Sequence, residues 1–345
     1  MSHQTGLRLA VIIVSYNVRE LLAACLDSVY AGMALCPELS TEVWVVDNAS
    51  SDGSATMVRE QFPQAHIIAS GENLGFAGGN NVALLASGFS SDSAPSTTHQ
   101  HPPFSDDDSP NDLPTAPDFA LLLNPDTEVL DDAIGQMVGF LAQNPDIGGV
   151  GTQLVYSDGR FQHGAFAFPG LLQLWFDLFP PRPRRLLESR LNGRYPRQWY
   201  DQDTPFPVGF ALGAALMVRR ETVQAVGLLD DGYFMYAEEV DWCWRMHRAG
   251  WPLYCVPTAR VVHHVGASAS QFRERSRLDL WRSRRRLFGR FYNPVRRWLA
   301  FRIVLLGMWA AQVRARRTAA RCEISETELQ ARLTTYEAIS NLYRS

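Results

Sequence analysis

Four times in its first 143 residues the chain alternates a short apolar run with a segment of helical spacing. Residues 7–14 are almost wholly aliphatic, as expected of a strand buried on both faces. Residues 19–30 have helical spacing. The pair repeats as 42–46 with 53–62, 65–69 with 80–86, and 119–123 with 131–143. This rhythm predicts an α/β fold, with a Rossmann-like, mostly parallel, doubly wound sheet. Such sheets bind ligands beyond the carboxyl ends of their strands. The polar residues that follow each strand are therefore where chemistry is to be sought.

Each strand delivers a polar cluster. The first ends in Ser15, Tyr16 and Asn17, and the second in Asp47 and Asn48 within DNASSDGS. The third precedes NLGFAGGNN, with Asn73, Gly75, Gly79 and Asn80, and the fourth precedes Asn124 and Asp126 in NPD. Turn chemistry accounts for any one of them, but four at successive strand ends predict one ligand crevice. The dinucleotide fingerprint GxGxxG and the phosphate loop GxxxxGK[ST] are both absent. The glycines after the third strand either let the backbone approach a ligand or serve as a turn. Asp47, ending an apolar strand, can accept from the imide N–H of uracil or thymine. Asp126 is placed to hold Mg2+ or Mn2+ against a diphosphate, since such ions take one or two carboxylates plus phosphate oxygens.

The second half adds a glycine-bearing loop that runs into a buried strand over residues 206–220, followed by YFMYAEEVDWCWR. Glu238, Glu239 and Asp241 open a helix that runs to about residue 249. Acidic residues suit a helix N-terminus, and clustered like charges also raise a carboxylate toward the range of a general base. In VVHHVGAS, His263 ends an apolar strand and is a candidate metal ligand beside Asp126.

Residues 90–118 break the rhythm. They are rich in Ser, Pro and Asp and nearly empty of aliphatics, so a disordered insertion is expected. With no anchoring strands, His99 and His101 beside Asp106 to Asp108 are not expected to form a metal site.

Composition narrows the class. Of 345 residues, 46% are hydrophobic and 20% charged, enough for a sizeable core. The five cysteines form no CxxC pair, which fits a reducing compartment without structural zinc. The apolar run at residues 9–14 is too short for a signal peptide. No stretch of 18 uncharged apolar residues occurs; the nearest, 298–313, is interrupted by Arg302. A net charge of -4 argues against nucleic acid as a partner, but the charge is uneven. Residues 273–317 hold 14 arginines against Glu274 and Asp279. Aromatic and aliphatic side chains lie among those arginines. This C-terminal helical arm, residues 271–345, is either a solvated hairpin or a surface for anionic lipid. Residues 1–270 form the expected first domain.

The seven segments SYN, VVDNASSDGS, NLGFAGGNN, LLLNPDTEV, GAALMVRR, YFMYAEEVDWCWR and VVHHVGAS, in this order, resemble the inverting glycosyltransferases of family 2, which have the GT-A fold. The nearest branch is that of bacterial rhamnosyltransferase-like enzymes of cell-wall and surface polysaccharide synthesis. The resemblance spans about residues 7–270. It implies a nucleotide-sugar donor, a saccharide or lipid-linked saccharide acceptor, a divalent metal and inversion at the anomeric carbon. By the same resemblance Ser15, Tyr16, Asn17, Asp47, Asn48, Asn73, Gly75, Gly79, Asn80 and Asn124 line the donor site. Asp126 and His263 hold the metal, with Asn124 standing where the family's DxD has its first Asp. Glu239 stands where the family's general base is more usually Asp, which leaves Glu238 and Glu239 as alternative bases. A cytoplasmic enzyme, peripheral on the inner face of the cytoplasmic membrane, is expected. Two rivals remain: a sugar-nucleotide pyrophosphorylase, which would carry a basic Gly-rich loop after the first strand, and a non-catalytic assembly or membrane-adaptor module.

Overall fold

The computed structural model of the chain describes residues 6–90, 116–264 and 273–344. Most of the expected insertion, including His99, His101 and Asp106 to Asp108, lies outside the described residues. The first half runs β1 (Arg8–Ser15), α1 (Arg19–Ala34), β2 (Ser40–Asp47), α2 (Ser54–Gln61), β3 (His66–Ala69), α3 (Gly75–Ala86), β4 (Phe119–Leu123), β5 (Thr127–Val129) and α4 (Ala133–Gln143). Then come β6 (Gly149–Val155), β7 (Phe161–Gln162), β8 (Ala165–Phe166), α5 (Leu171–Leu178), α6 (Arg197–Tyr200), β9 (Phe206–Val208), β10 (Phe210–Ala211), β11 (Ala215–Arg219), α7 (Arg220–Val226), α8 (Glu238–Arg248) and β12 (Leu253–His263). Three long helices follow: α9 (Arg273–Phe291), α10 (Pro294–Ala320) and α11 (Glu326–Arg344).

The main sheet has the order β3-β2-β1-β4-β11-β6-β12-β5, so the expected α/β sheet is present. β1 pairs in parallel with β2 and with β4, and β2 with β3. Antiparallel β11 is inserted between β4 and β6. The buried face of α1 is Leu22, Cys25, Leu26 and Val29, the i, i+3, i+4, i+7 pattern of an amphipathic helix. These side chains join Val11, Ile13, Leu121 and Met137 in one core. Fully burying each large aliphatic contributes about 1.5–3 kcal/mol. In β4 all five residues, FALLL, are buried, as its central position demands.

The chain forms two compact units. One takes residues 1–166, 197–232 and 238–268; the other takes 167–196, 233–237 and 269–345. In the second unit α5 packs on α10, where a Cβ on Gly307 would lie 2.7 Å from both Leu178 methyls. Arg284 pairs with Asp177 at 2.7 Å, and Ser283 donates to the Met235 carbonyl at 2.7 Å. Among the described residues, no helix is long and apolar enough to cross a membrane.

Candidate active site

Register aligns the strand ends. Ser15 pairs with Asp47 across β1 and β2, and Ile13 with Leu123 across β1 and β4. The β1–β2 ladder ends at Ser15 and Asp47 and the β1–β4 ladder ends at Leu123, so Asn124 leaves the sheet at the same edge. Antiparallel β11 starts at this edge, and the Asn124 N–H donates to the Ala214 carbonyl at 3.0 Å.

At the β1–β2 end the polar atoms are buried but incompletely used. Asp47 is 4% exposed; its Oδ2 accepts from the Ser50 N–H at 3.2 Å. Asn48 is 2% exposed and donates to the Gly75 carbonyl at 3.0 Å. Ser15 Oγ, Asp47 Oδ1 and Asn48 Oδ1 are buried with no hydrogen-bond partner among the described residues. Leaving a buried polar group unpaired costs about 1–3 kcal/mol, and here three acceptors lie unused at one strand edge. The backbone is strained here too. Asn17 and Ala49 have φ of 53° and 62°, a region non-glycine residues rarely occupy. Asn17 Oδ1 accepts from the Ser51 N–H at 2.7 Å and so ties the two strand ends together.

The glycine segment is helix, not a turn before one: α3 begins at Gly75 rather than at Asn80. Asn73 Oδ1 accepts from the Gly75 N–H at 2.9 Å, and Gly75 has φ of 71°. A Cβ on Gly79 would lie 2.6 Å from Val14 Cγ1 and 3.3 Å from Asn48 Nδ2. Glycine there lets α3 lie directly against β1 and β2. Asn80 donates to the Phe76 carbonyl within the helix at 2.8 Å, so its amide group braces α3.

Asp126 is 6% exposed and faces His263, with Oδ1 and Nε2 3.6 Å apart. Pairing of β12 with β5 sets His263 opposite Thr127, and the His264 N–H donates to the Asp126 carbonyl at 2.9 Å. Gln162 Nε2 lies 3.1 Å from His263 Nδ1. Burial pushes the His263 imidazole below its usual range; the Asp126 carboxylate opposes this and His264 adds to it. The ring is therefore neutral near pH 7, the form that ligates metals. His264 instead meets Glu128 at 2.6 Å. Among the described residues no group of three or more His, Cys, Asp or Glu could hold a metal alone. One carboxylate and one neutral imidazole fit a hard divalent ion whose other ligands are phosphate oxygens and water.

The acidic turn divides its labour. Glu238 is 4% exposed, whereas Glu239 is half-buried. A Cβ on Gly213, just before β11, would lie 2.9 Å from the Phe76 ring and 3.8 Å from Glu239 Cβ. Glu239 thus stands where α3 and the loop before β11 converge. Tyr236 and Ala237, leading into α8, have φ of 71° and 67°. Two consecutive strained residues cost of order 1–3 kcal/mol each. Asp241, grouped with the glutamates as catalytic, departs from that expectation. It is fully buried and paired with Arg245 at 2.7 Å, and Arg245 also donates to the carbonyls of Val226 and Leu228. Its carboxylate braces the loop before α8.

Gln162, Glu128 and Gly213 were not singled out from the sequence. Glu128 lies inside the NPDTEV segment and was open to notice, but Gln162 sits on a two-residue strand with no motif around it. The buried Cys25 and Cys243 thiols are pushed up to about 12 by desolvation and stay protonated.

The model of "Glycosyl transferase family 2" matches residues 10–88. An N-acetylglucosaminyl-diphospho-decaprenol L-rhamnosyltransferase of Mycobacterium tuberculosis is 27% identical over 248 residues, covering 71% of this chain and 74% of the relative. The chain is a glycosyltransferase similar to those of family 2. A low-salt glycan biosynthesis hexosyltransferase of Haloferax volcanii is 24% identical, covering 76% of this chain and 69% of the relative. The solved mannosyltransferase of Pyrobaculum calidifontis in complex with GDP-Man and Mn2+ is 16% identical. That likeness has a TM-score of 0.53 and covers 98% of this chain and 88% of that one, which places the fold among the GT-A enzymes. Family 2 enzymes are inverting, and neither the pyrophosphorylase nor the adaptor reading is favoured.

Proposed function

We propose that this glycosyltransferase moves a deoxyhexose such as rhamnose from a nucleoside-diphosphate sugar to a saccharide or lipid-linked saccharide acceptor. The observation that carries the donor assignment is the set of buried, unpartnered oxygens on Ser15, Asp47 and Asn48 at one strand edge. Asp47 accepts the imide N–H of a uracil or thymine base. The amide group of Asn48 and the start of α3, with Asn73, Gly75 and Gly79, shape the wall beside it. Tyr16, Asn17 and Asn124 complete the rim. The rhamnosyltransferase relative, named for a decaprenyl-diphosphate acceptor, supports the sugar and acceptor classes.

Glu239 is the general base. Its carboxylate takes the proton of the acceptor hydroxyl. The freed oxygen attacks the anomeric carbon from the face opposite the diphosphate, a glycosidic bond forms, and the bond to the diphosphate oxygen breaks. No protein nucleophile takes part. Asp126 and His263 would hold Mg2+ or Mn2+; when bound, the ion neutralises charge on the leaving diphosphate. Asp126→Ala is expected to abolish the metal dependence of donor binding, read by calorimetric titration of candidate nucleotide sugars with and without Mn2+. An unchanged dependence would remove Asp126 from the site.

A lipid-linked acceptor fits an enzyme held on the cytoplasmic face of the membrane by its Arg-rich helices.

A further inference from the structure

The arginines that look most like a membrane patch in the sequence, residues 282–286, are largely spent inside the second unit. Arg284 pairs with Asp177 and lies over Trp281, Arg285 lies over Phe301, and Arg286 over Tyr233. Five of the large apolar side chains that stay exposed lie elsewhere, on α10. Val295, Trp298, Leu299, Leu306 and Trp309 are 69%, 56%, 38%, 44% and 63% exposed. At 100° per residue they fall within one stripe about 100° wide, and the span from 295 to 309 is about 21 Å. The opposite face of the same helix, with Ala300, Val304, Gly307 and Met308, is buried. The helix is therefore apolar on two faces, and only one is packed.

We propose that the outward stripe of α10 lies in the headgroup layer of an anionic lipid bilayer. This rests on the peripheral-membrane reading and assigns its contact face. Charge complementarity selects the partner. Arg302 sits within the stripe, its guanidinium 5.3 Å from the Trp298 ring centre, and the exposed Arg316 and Arg317 continue its line toward the C-terminus. Tryptophan beside arginine suits an interface that is apolar below and anionic above. A second copy of the chain would set these arginines against each other. The helix lies on the surface without spanning it, since Arg302 interrupts its apolar run.

Vesicle flotation of the full chain tests this, comparing phosphatidylcholine alone with a mixture holding about one third phosphatidylglycerol. The wild type is expected to float only with the anionic vesicles, and less so as salt rises. Trp298→Ser with Trp309→Ser should lower binding about tenfold or more. Arg302→Gln with Arg316→Gln and Arg317→Gln should lower it roughly a hundredfold, at about fivefold per arginine. All five positions are exposed, and retained donor binding and an unchanged Tm would verify that the fold survives. If both variants float with anionic vesicles like wild type, the α10 face is wrong and the peripheral reading stands. If wild type fails to float with anionic vesicles, both are wrong. A wild-type dimer in sedimentation velocity that the tryptophan variant dissociates would give the stripe to a second copy and overturn the proposal.

Discussion

Glu239 and Asp241 sit two residues apart on α8 and respond oppositely to substitution. Glu239→Gln keeps the shape and removes the proton acceptor. Transfer is expected to fall roughly 10²-fold or more while donor affinity and Tm hold. Asp241→Ala strands the Arg245 guanidinium among carbonyls and removes the fully buried carboxylate that pairs with it. That should cost about 3–5 kcal/mol of stability, read as a drop in Tm. Glu238→Gln is expected to lower transfer less than Glu239→Gln; the reverse order would move the base to Glu238. Side-chain identity alone could not separate these three carboxylates, because the distinction lies in burial. The spacing placed all three in the first turn of one helix, but only the fold shows which is enclosed with Arg245. Glycine offers the converse. Gly79→Ala drives a methyl to within 2.6 Å of Val14 Cγ1. Overpacking of this kind costs about 1–3 kcal/mol, and it should weaken donor binding by displacing Asn48.

At the scale of elements, one carboxylate caps the starts of both α1 and α2. Asp52 Oδ2 accepts from the Arg19 N–H at 2.9 Å, and its Oδ1 from the Ser54 N–H at 3.0 Å and the Ser54 hydroxyl at 2.6 Å. Each backbone donor is one that the first turn of a helix leaves unsatisfied. Partial burial raises the Asp52 carboxyl, but the bonds from Ser54 and Arg19 outweigh it and hold the group below the usual carboxylate range. A group with a depressed folded value contributes stability above its unfolded value and loses it as pH falls through the folded one. Asp52→Ala should therefore lower Tm at pH 7, by about 1–2 kcal/mol equivalent, and the gap to wild type should close as pH falls below about 4. A gap that does not narrow at all between pH 5 and pH 2.5, where the unfolded carboxyl becomes protonated, would mean that the loss is one of packing. The strand and helix rhythm of residues 7–143 was legible because β1 and β4 are almost wholly buried apolar runs and β1 to β4 are parallel strands separated by helices. The buried strand expected after the glycine loop is β11, but its antiparallel place between β4 and β6 was not legible, nor was the three-residue β5. A strand inserted between β4 and β6 is chosen by tertiary pairing, and three residues are too few to show a period.

The whole chain is interleaved rather than divided once. Residues 167–196 and 233–237 group with the C-terminal helices, although both lie within the first 270 residues. Composition shifts at residue 270, but contacts do not respect that point. Leu174, Phe176 and Leu178 of α5 are buried, and the Leu178 methyls fill the space left by Gly307 of α10. Tyr233 is fully buried under Arg286 of α9, while the Met235 carbonyl accepts from Ser283. Those residues lead straight into the strained Tyr236 and Ala237 and then Glu238. A chain ending at residue 270 would bare the apolar face of α5 and release the segment that delivers the base. Exposing three large apolar side chains removes about 1.5–3 kcal/mol each, comparable with the whole stability of a typical domain. Residues 1–270 expressed alone are expected to aggregate, or to unfold without a cooperative transition, even though they contain every candidate donor, metal and base residue. A monomeric 1–270 fragment that melts cooperatively and binds a nucleotide sugar like the full chain would show that the second unit is dispensable for building the site.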